Sequence, residues 1–197
     1  RRVLFRSSHL MSGIPNNFPT EYTEALNYIR RGKAYKAAFQ AKERFWEKEN
    51  IYGGITWVNA PIQQIWYPPH NIHGKKGVVL AAYNFGGANY TEMSQEDRIE
   101  DLLKHGEKVH PNYRKMAEKP MTIAWHRMNH MLGCAPRWAQ VRGGWSDKEE
   151  QMYETLRQPV NGRHYLIGDQ STQHSAWMES AIQSAHYALA DLDQRVR

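Results

Sequence analysis

An acidic residue between an apolar run and a long amphipathic helix makes one C-terminal stretch the best candidate to hold a polar ligand. The run His164–Ile167 predicts a short strand, and Asp169 follows it after one glycine, Gly168. A helix is predicted to begin near Trp177 and to end at about Leu192. A carboxylate accepts hydrogen bonds from hydroxyl groups, and the first turn of a helix offers N–H groups and partial positive charge. The pattern favours a cofactor site, and an ordinary β-loop-α unit stays open as the alternative.

A lysine inside an apolar run is the second candidate for chemistry. Lys36 lies within Ala34–Phe39, a segment that predicts either a strand or a helix. Lysine is seldom fully buried, so the alternative is a surface lysine whose alkyl stem covers apolar neighbours.

Aromatic residues form a third candidate set. They serve either the packing of a core or a pocket that binds an amine or a flat ring. The members of this set are Trp66, Tyr67, Tyr83, Trp125 and Trp177.

Composition argues against several classes of protein. Hydrophobic residues make up 41% of the 197 residues, which is enough for a packed core. No apolar run is long enough to cross a bilayer, so we predict no membrane span. The single cysteine, Cys134, excludes an internal disulfide and a cysteine-based zinc cluster. His126 and His130 are four residues apart, but Arg127 stands where a zinc-protease helix needs an acid, so we predict no metal site.

The first seven residues, RRVLFRS, differ from the rest of the chain. They resemble a translated sequencing adaptor, and we interpret residues 1–7 as an artefact. Their three arginines contribute half of the formal net charge of +6, and the remaining charge does not predict a nucleic-acid partner. We therefore also expect the N-terminal part of the protein to lie outside this sequence.

A pass along the chain predicts alternating helices and strands, which favours an α+β body. The predicted helix starts are Thr20, the pair Ser94 and Asp97, and the capping box Ser146 and Glu149. The predicted ends of these helices lie near Gly32, Gly106 and Arg157. The predicted apolar strands are Val78–Tyr83 and Met121–Trp125.

Several linked motifs resemble the flavin-dependent amine oxidases, and in particular the L-amino-acid oxidases. The resemblance extends from about Lys33 to Ala190. The matching segments are KERFWEKENIYGG (42–54), WYPPHN (66–71), VVLAAYNFG (78–86), LIGD (166–169), AWME (176–179) and Ser184-Ala185. Motifs that recur in the family's order and spacing are more specific together than any one of them alone.

The resemblance implies an α+β fold that is a fragment of a two-domain flavin amine oxidase. Residues 33–130 would form a substrate-binding domain on a mixed sheet. Residues 160–197 would supply the C-terminal strand and helix of a Rossmann-like FAD-binding domain, and residues 8–32 would be an N-terminal remnant of that domain. Residues 131–159 would form a connecting segment that contains a helix.

The resemblance also assigns roles to single residues. Asp169 would hold the ribityl chain of FAD, and the backbone around Trp177 and Met178 would face the flavin pyrimidine ring. The remaining cofactor-binding positions would be Gly168, Ala176 and Ala181. The catalytic residue would be Lys36, which would hold a water against flavin N5. The substrate-binding residues would be Tyr83, for the substrate carboxylate, with Trp125 and Trp177 as pocket walls.

The implied reaction is the oxidative deamination of an L-amino acid to a keto acid, ammonia and hydrogen peroxide. FAD would be the cofactor, molecular oxygen the second substrate, and the full-length protein a homodimer, while this chain alone would be inactive. Three departures from the family pattern are Asp169 in place of a glutamate, and Ala176 and Ala185 in place of glycines. The G-x-G-x-x-G motif and the family's carboxylate-binding arginine are absent from the sequence. The alternatives are an amino-acid 2-monooxygenase, a monoamine or polyamine oxidase, and a non-enzymatic binding module.

Overall fold

The computed structural model describes residues 15–86, 88–129, 131–138 and 145–197. The chain divides into two compact units. We call Lys33–Trp125 the sheet unit, and we call Arg1–Gly32 together with His126–Arg197 the helical unit. Residues 1–7 and His130 lie outside the described residues. The assignment of these units to a substrate-binding and an FAD-binding domain stays a prediction.

Helices and strands alternate along the chain, which confirms the predicted mixture of the two. The helices are α1 (Thr20–Tyr28), α2 (Ala88–Thr91), α3 (Gln95–Val109), α4 (Tyr113–Met116), α5 (Asp147–Arg157) and α6 (Met178–Val196). The strands are β1 (Arg30–Arg31), β2 (Ala34–Ala41), β3 (Ile55–Trp57), β4 (Gln64–Trp66), β5 (Gly77–Phe85), β6 (Ala117–Ala124) and β7 (Pro136–Arg137). Short 3₁₀ helices cover Phe45–Glu49, Trp125–Arg127 and Asp169–Ser171. In the described part of the chain, no helix has the length and apolar character needed to cross a lipid bilayer.

Five strands of the sheet unit form one sheet in the order β3-β4-β5-β2-β6. Every pairing among these described strands is antiparallel, whereas the resemblance implied a mixed sheet. Strands β5 and β6 run in the same direction and are joined through α3, which is the connection that a parallel pair requires. Strand β2 lies between them, however, so no parallel pair forms.

A β-bulge at Ala81 decides which side chains share a face of this sheet. Lys36 pairs with Tyr83 and Ala37 with Ala82, but Ala38 pairs with Leu80, so Ala81 is an extra residue on β5. An extra residue shifts the alternation of side chains beyond it. Strict alternation along β5 would place Tyr83 on the core face together with Ala81. Because of the bulge, Tyr83 lies instead on the same face as Lys36.

The other face of the sheet carries the core of the sheet unit. It packs against α3, Tyr113 and the 3₁₀ helix that contains Phe45 and Trp46. Trp46 and Tyr35 are fully buried, and burying one large apolar side chain stabilises a fold by roughly 1.5–3 kcal/mol. The Phe-Trp pair of the sequence motif is therefore a core element.

Helix α3 begins as predicted and ends later than predicted. The Ser94 hydroxyl accepts a hydrogen bond from the Asp97 N–H at 3.0 Å, which confirms the cap. The end predicted at Gly106 is wrong, because the helix continues to Val109. A Cβ atom at Gly106 would lie 2.4 Å from the Tyr113 ring. The glycine therefore permits close packing inside the helix and does not stop it.

Helices α1 and α5 pack together in the helical unit, around buried side chains that include Leu26, Tyr153 and Leu156. The predicted capping box at Ser146 and Glu149 is confirmed in both directions. The predicted cap at Thr20 is wrong, because Thr20 is already helical and Pro19 occupies the cap position.

The strand predicted at His164–Ile167 is also wrong. The structure has only an isolated bridge between Val160 and His164, and Ile167 is 50% exposed. A strand requires a neighbouring strand for its hydrogen bonds, and the described residues place none beside this segment. Helix α6 begins at Met178 as predicted and extends beyond Leu192 to Val196.

Candidate active site

The turn at Gly168 and Asp169 is joined by hydrogen bonds to the start of α6. The Gly168 N–H donates to Ser184 Oγ at 2.8 Å, and the Ser184 hydroxyl donates to the Ala181 carbonyl at 2.8 Å. The Asp169 Oδ2 atom accepts the Ala176 N–H at 2.9 Å. Four of the predicted cofactor-binding residues, Gly168, Asp169, Ala176 and Ala181, therefore belong to one connected structure.

Ala176 adopts the backbone conformation of a glycine. Its φ of 71° lies in the left-handed region, which costs an L-residue roughly 1–2 kcal/mol. The Asp169 carboxylate, which accepts the Ala176 N–H, helps to hold this turn. The turn directly precedes Trp177 and so sets the direction in which α6 begins.

The N-terminus of α6 differs from those of α3 and α5. Trp177 occupies its cap position and makes no side-chain cap hydrogen bond, whereas serines cap the other two helices. The side chains of Trp177 and Met178 are 69% and 86% exposed. The first turn of α6 therefore presents backbone N–H groups and the positive end of the helix dipole without a competing cap.

Two residues that the sequence patterns did not single out, Arg31 and Trp138, hold the 3₁₀ helix Asp169–Ser171 in place. Arg31 Nη2 donates to Gln170 Oε1 at 3.0 Å, and Trp138 Nε1 donates to the Gln170 carbonyl at 3.2 Å. The adjacent pair Arg30-Arg31 belongs to none of the motifs found in the sequence. No signal in the sequence placed it beside residue 170, because the contact spans 139 positions.

In the sheet unit, Lys36 and Tyr83 are cross-strand partners on one face. Lys36 Nζ lies 4.3 Å from the centroid of the Tyr83 ring, a cation–π distance. The Tyr83 ring lies 4.4 Å from the Phe85 ring and 6.0 Å from the Trp66 ring. The structure thus places an amine among aromatic rings on the sheet face opposite the core.

Two other members of the aromatic set have different surroundings. Tyr67 belongs to the core, where its hydroxyl lies 2.6 Å from His110 Nε2 and 2.9 Å from Thr56 Oγ1. Trp125 is partly buried and opens the 3₁₀ helix after β6, two residues beyond Ile123, the β6 partner of Lys36. Trp66 was predicted only as a member of the aromatic set, and its indole N–H donates to Gln64 Oε1 at 2.7 Å.

A family model for flavin containing amine oxidoreductases matches residues 7–192. The chain belongs to this family. The flavin-dependent L-tryptophan oxidase RebO of Lentzea aerocolonigenes is 25% identical over 203 residues, which cover 95% of this chain and 42% of that protein. The L-amino-acid oxidase of Demansia vestigiata is 25% identical over 181 residues, which cover 89% of this chain and 34% of that protein.

Solved structures of this family share the fold. Cyclohexylamine oxidase from Brevibacterium oxydans IH-35A matches with a TM-score of 0.77 at 16% identity, over 97% of this chain and 42% of that chain. Wild-type putrescine oxidase bound to putrescine matches with a TM-score of 0.74 at 15% identity. The chain therefore spans less than half the length of these relatives. Membership of the family confirms FAD as the cofactor that the resemblance implied.

The residues at the start of α6 fit FAD in their chemistry. A carboxylate has about four acceptor sites, and Asp169 uses one on the Ala176 N–H, so it can also accept sugar-type hydroxyls. The uncapped N-terminus of α6 can donate N–H groups to the oxygen and nitrogen atoms of a pyrimidine ring. The roles of the single residues stay predictions.

Proposed function

We propose that the protein containing this chain is an FAD-dependent L-amino-acid oxidase that releases a keto acid, ammonia and hydrogen peroxide. The proposal is carried by the pairing of Lys36 with Tyr83 on one aromatic sheet face. It is supported by relatives named as oxidases of amino acids.

The helical unit supplies the residues that would hold the cofactor. Asp169 would accept hydrogen bonds from ribityl hydroxyl groups, and the first turn of α6 after Trp177 would donate N–H groups to the pyrimidine ring. A helix N-terminus stabilises nearby negative charge by about 0.3–1 kcal/mol. Bound FAD supplies the two-electron oxidation of the carbon that carries the amine.

The sheet unit supplies the residues that act on the substrate. The Tyr83 hydroxyl donates a hydrogen bond to the substrate carboxylate, and the Trp125 ring forms a wall that orients the amine and its carbon. The helical unit would supply Trp177 for the same role. Lys36 holds a water molecule beside the reacting atoms and donates to it. Orientation by such walls is a large part of the catalysis when the cofactor carries the chemistry.

The test is a product analysis of the complete protein with L-amino acids and with simple amines. We expect hydrogen peroxide, ammonia and a keto acid in equal amounts from an L-amino acid. An amide with loss of carbon dioxide would identify a 2-monooxygenase instead. An aldehyde from a simple amine, with no turnover of amino acids, would identify a monoamine or polyamine oxidase.

A further inference from the structure

We propose that Arg31 is a positioning residue for the FAD site, which it serves by fixing the turn that carries Asp169. The inference rests on the proposed role of Asp169 at the ribityl chain. Arg31 does not touch the cofactor in this proposal. It acts through Gln170, the residue directly after Asp169.

The Arg31 guanidinium joins two segments that are distant in sequence. Its Nη2 atom donates to Gln170 Oε1 at 3.0 Å, and its Nη1 atom donates to the Cys134 carbonyl at 3.1 Å. Strand β1, which carries Arg31, pairs with β7, which begins two residues after Cys134. The guanidinium therefore ties the Asp169–Ser171 turn to a two-stranded sheet whose own position is fixed by backbone hydrogen bonds.

Gln170 is held at its backbone as well as at its side chain. It is 7% exposed, and its carbonyl accepts the indole N–H of the buried Trp138 at 3.2 Å. The Ser171 hydroxyl donates to the Gly168 carbonyl at 3.0 Å, which closes the turn on itself. Loss of the Arg31 contact would leave the buried Gln170 amide oxygen without this charged donor, and the turn could then shift.

The charge of Arg31 also suits this location. Burial lowers the pKa of Arg31 from its ordinary value, and the negative charge of Asp169 opposes that shift. An arginine stays protonated under these conditions. The Arg31 guanidinium therefore places a fixed positive charge beside the turn that carries Asp169.

Arg30 provides a matched control on the same strand. Arg30 is the neighbouring residue and carries the same charge. Its side chain is exposed, and because successive side chains of a strand point to opposite faces, it lies on the face opposite Arg31. Arg30→Met and Arg31→Met therefore change net charge, length and polarity equally. A difference in FAD affinity between the two variants therefore measures the effect of the contact between Arg31 and Gln170.

The experiment measures the dissociation constant of FAD for the complete protein after removal of the cofactor. We expect Arg31→Met to weaken FAD binding by roughly tenfold to a hundredfold, the loss typical of a hydrogen bond to a charged group. Arg31→Lys should recover part of the loss, and Arg30→Met should bind as the wild type does. Thermal unfolding of the cofactor-free proteins separates loss of the fold from loss of the site.

A double-mutant comparison tests whether Arg31 acts through Asp169. In an Asp169→Asn background, Arg31→Met should weaken FAD binding by less than about threefold. Equal losses in both backgrounds, or FAD binding by Arg31→Met within about twofold of wild type, would overturn the inference and leave the proposed function intact.

Three further outcomes of the experiment each have a defined meaning. If Arg31→Met does not fold, Gln170→Ala removes the same hydrogen bond from the other side and decides the question by the same measurements. A complete wild-type protein that binds FAD but oxidises no amino acid would reject the proposed function and leave the role of Arg31 standing. A wild-type protein that binds no FAD would overturn both.

Discussion

The two candidate regions, one in each unit, are built in different ways. The region in the helical unit is a turn and a helix N-terminus, in which backbone N–H groups near Asp169 and Trp177 are the candidate donors to a ligand. The region in the sheet unit consists of side chains, Lys36 and Tyr83, which meet across two strands. The first is local in sequence, and the second joins residues that are 47 positions apart.

This difference predicts how each part responds to substitution. Backbone groups persist when a single side chain changes, so substitutions at the turn should weaken binding gradually. On the sheet, each proposed role belongs to a single side chain, and a substitution removes that group. A single change there should therefore have a large effect on the reaction and a small effect on the fold. The following substitutions test the contrast, beginning with the largest expected effect.

Lys36→Met should slow the reduction or the reoxidation of the flavin strongly, by at least about 100-fold, because it removes the group proposed to hold water beside the reacting atoms. Stopped-flow absorbance of the flavin measures both half-reactions. Lys33→Met is the control, because it removes the same charge at an exposed position just before β2. Both half-reactions within twofold of wild type in Lys36→Met would reject the role of the lysine.

Tyr83→Phe should raise KM for L-amino acids by about tenfold or more, because it removes the hydrogen bond proposed for the substrate carboxylate. The ring that faces Lys36 remains, so the oxidation of simple amines should change little. Steady-state kinetics with an amino acid, and with the amine that lacks its carboxylate, separate the effect on carboxylate binding from any effect on amine oxidation. Equal changes for both substrates would contradict the assignment.

The sequence could predict candidate residues, but it could not predict how all of them are arranged. Asp169, Trp177 and the start of α6 follow one another along the chain, so local patterns sufficed to place them together. Strict alternation along β5 would instead have put Tyr83 on the core face with Ala81, and only the bulge brings it to Lys36. A bulge depends on the register of two strands, which short-range patterns do not fix.

Local patterns failed for a related reason at three other places. The apolar run His164–Ile167 is typical of a strand, but a strand also requires a partner. Gly106 is a usual helix stop, but Tyr113 packs on it. The contact between Arg31 and Gln170 depends on the pairing of β1 with β7, which no motif in the sequence predicts.

Tyr67→Phe provides the counterpart of Tyr83→Phe on the opposite face of the same sheet. It should lower the free energy of unfolding by roughly 1–3 kcal/mol, because the buried His110 Nε2 atom loses a partner 2.6 Å away. The other ring nitrogen keeps its contact with Glu49 at 2.9 Å. Chemical denaturation measures the loss, and KM should not change. A stable Tyr67→Phe with a raised KM would contradict the separation of a core face from a substrate face.

Ala176→Gly should have the smallest effect, and it tests the backbone-built part of the site. Glycine adopts the left-handed conformation without strain, which should stabilise the folded protein by about 1 kcal/mol. The greater conformational entropy of glycine in the unfolded chain offsets part of this gain. Ala190→Gly, at an ordinary helical position of α6, should instead destabilise it by roughly 0.5–1 kcal/mol. Thermal unfolding of both variants measures the difference in sign. Because the turn holds its shape through the N–H that Asp169 accepts, FAD binding should persist in Ala176→Gly. A loss of stability in both variants would mean that the turn does not impose its left-handed conformation on the alanine.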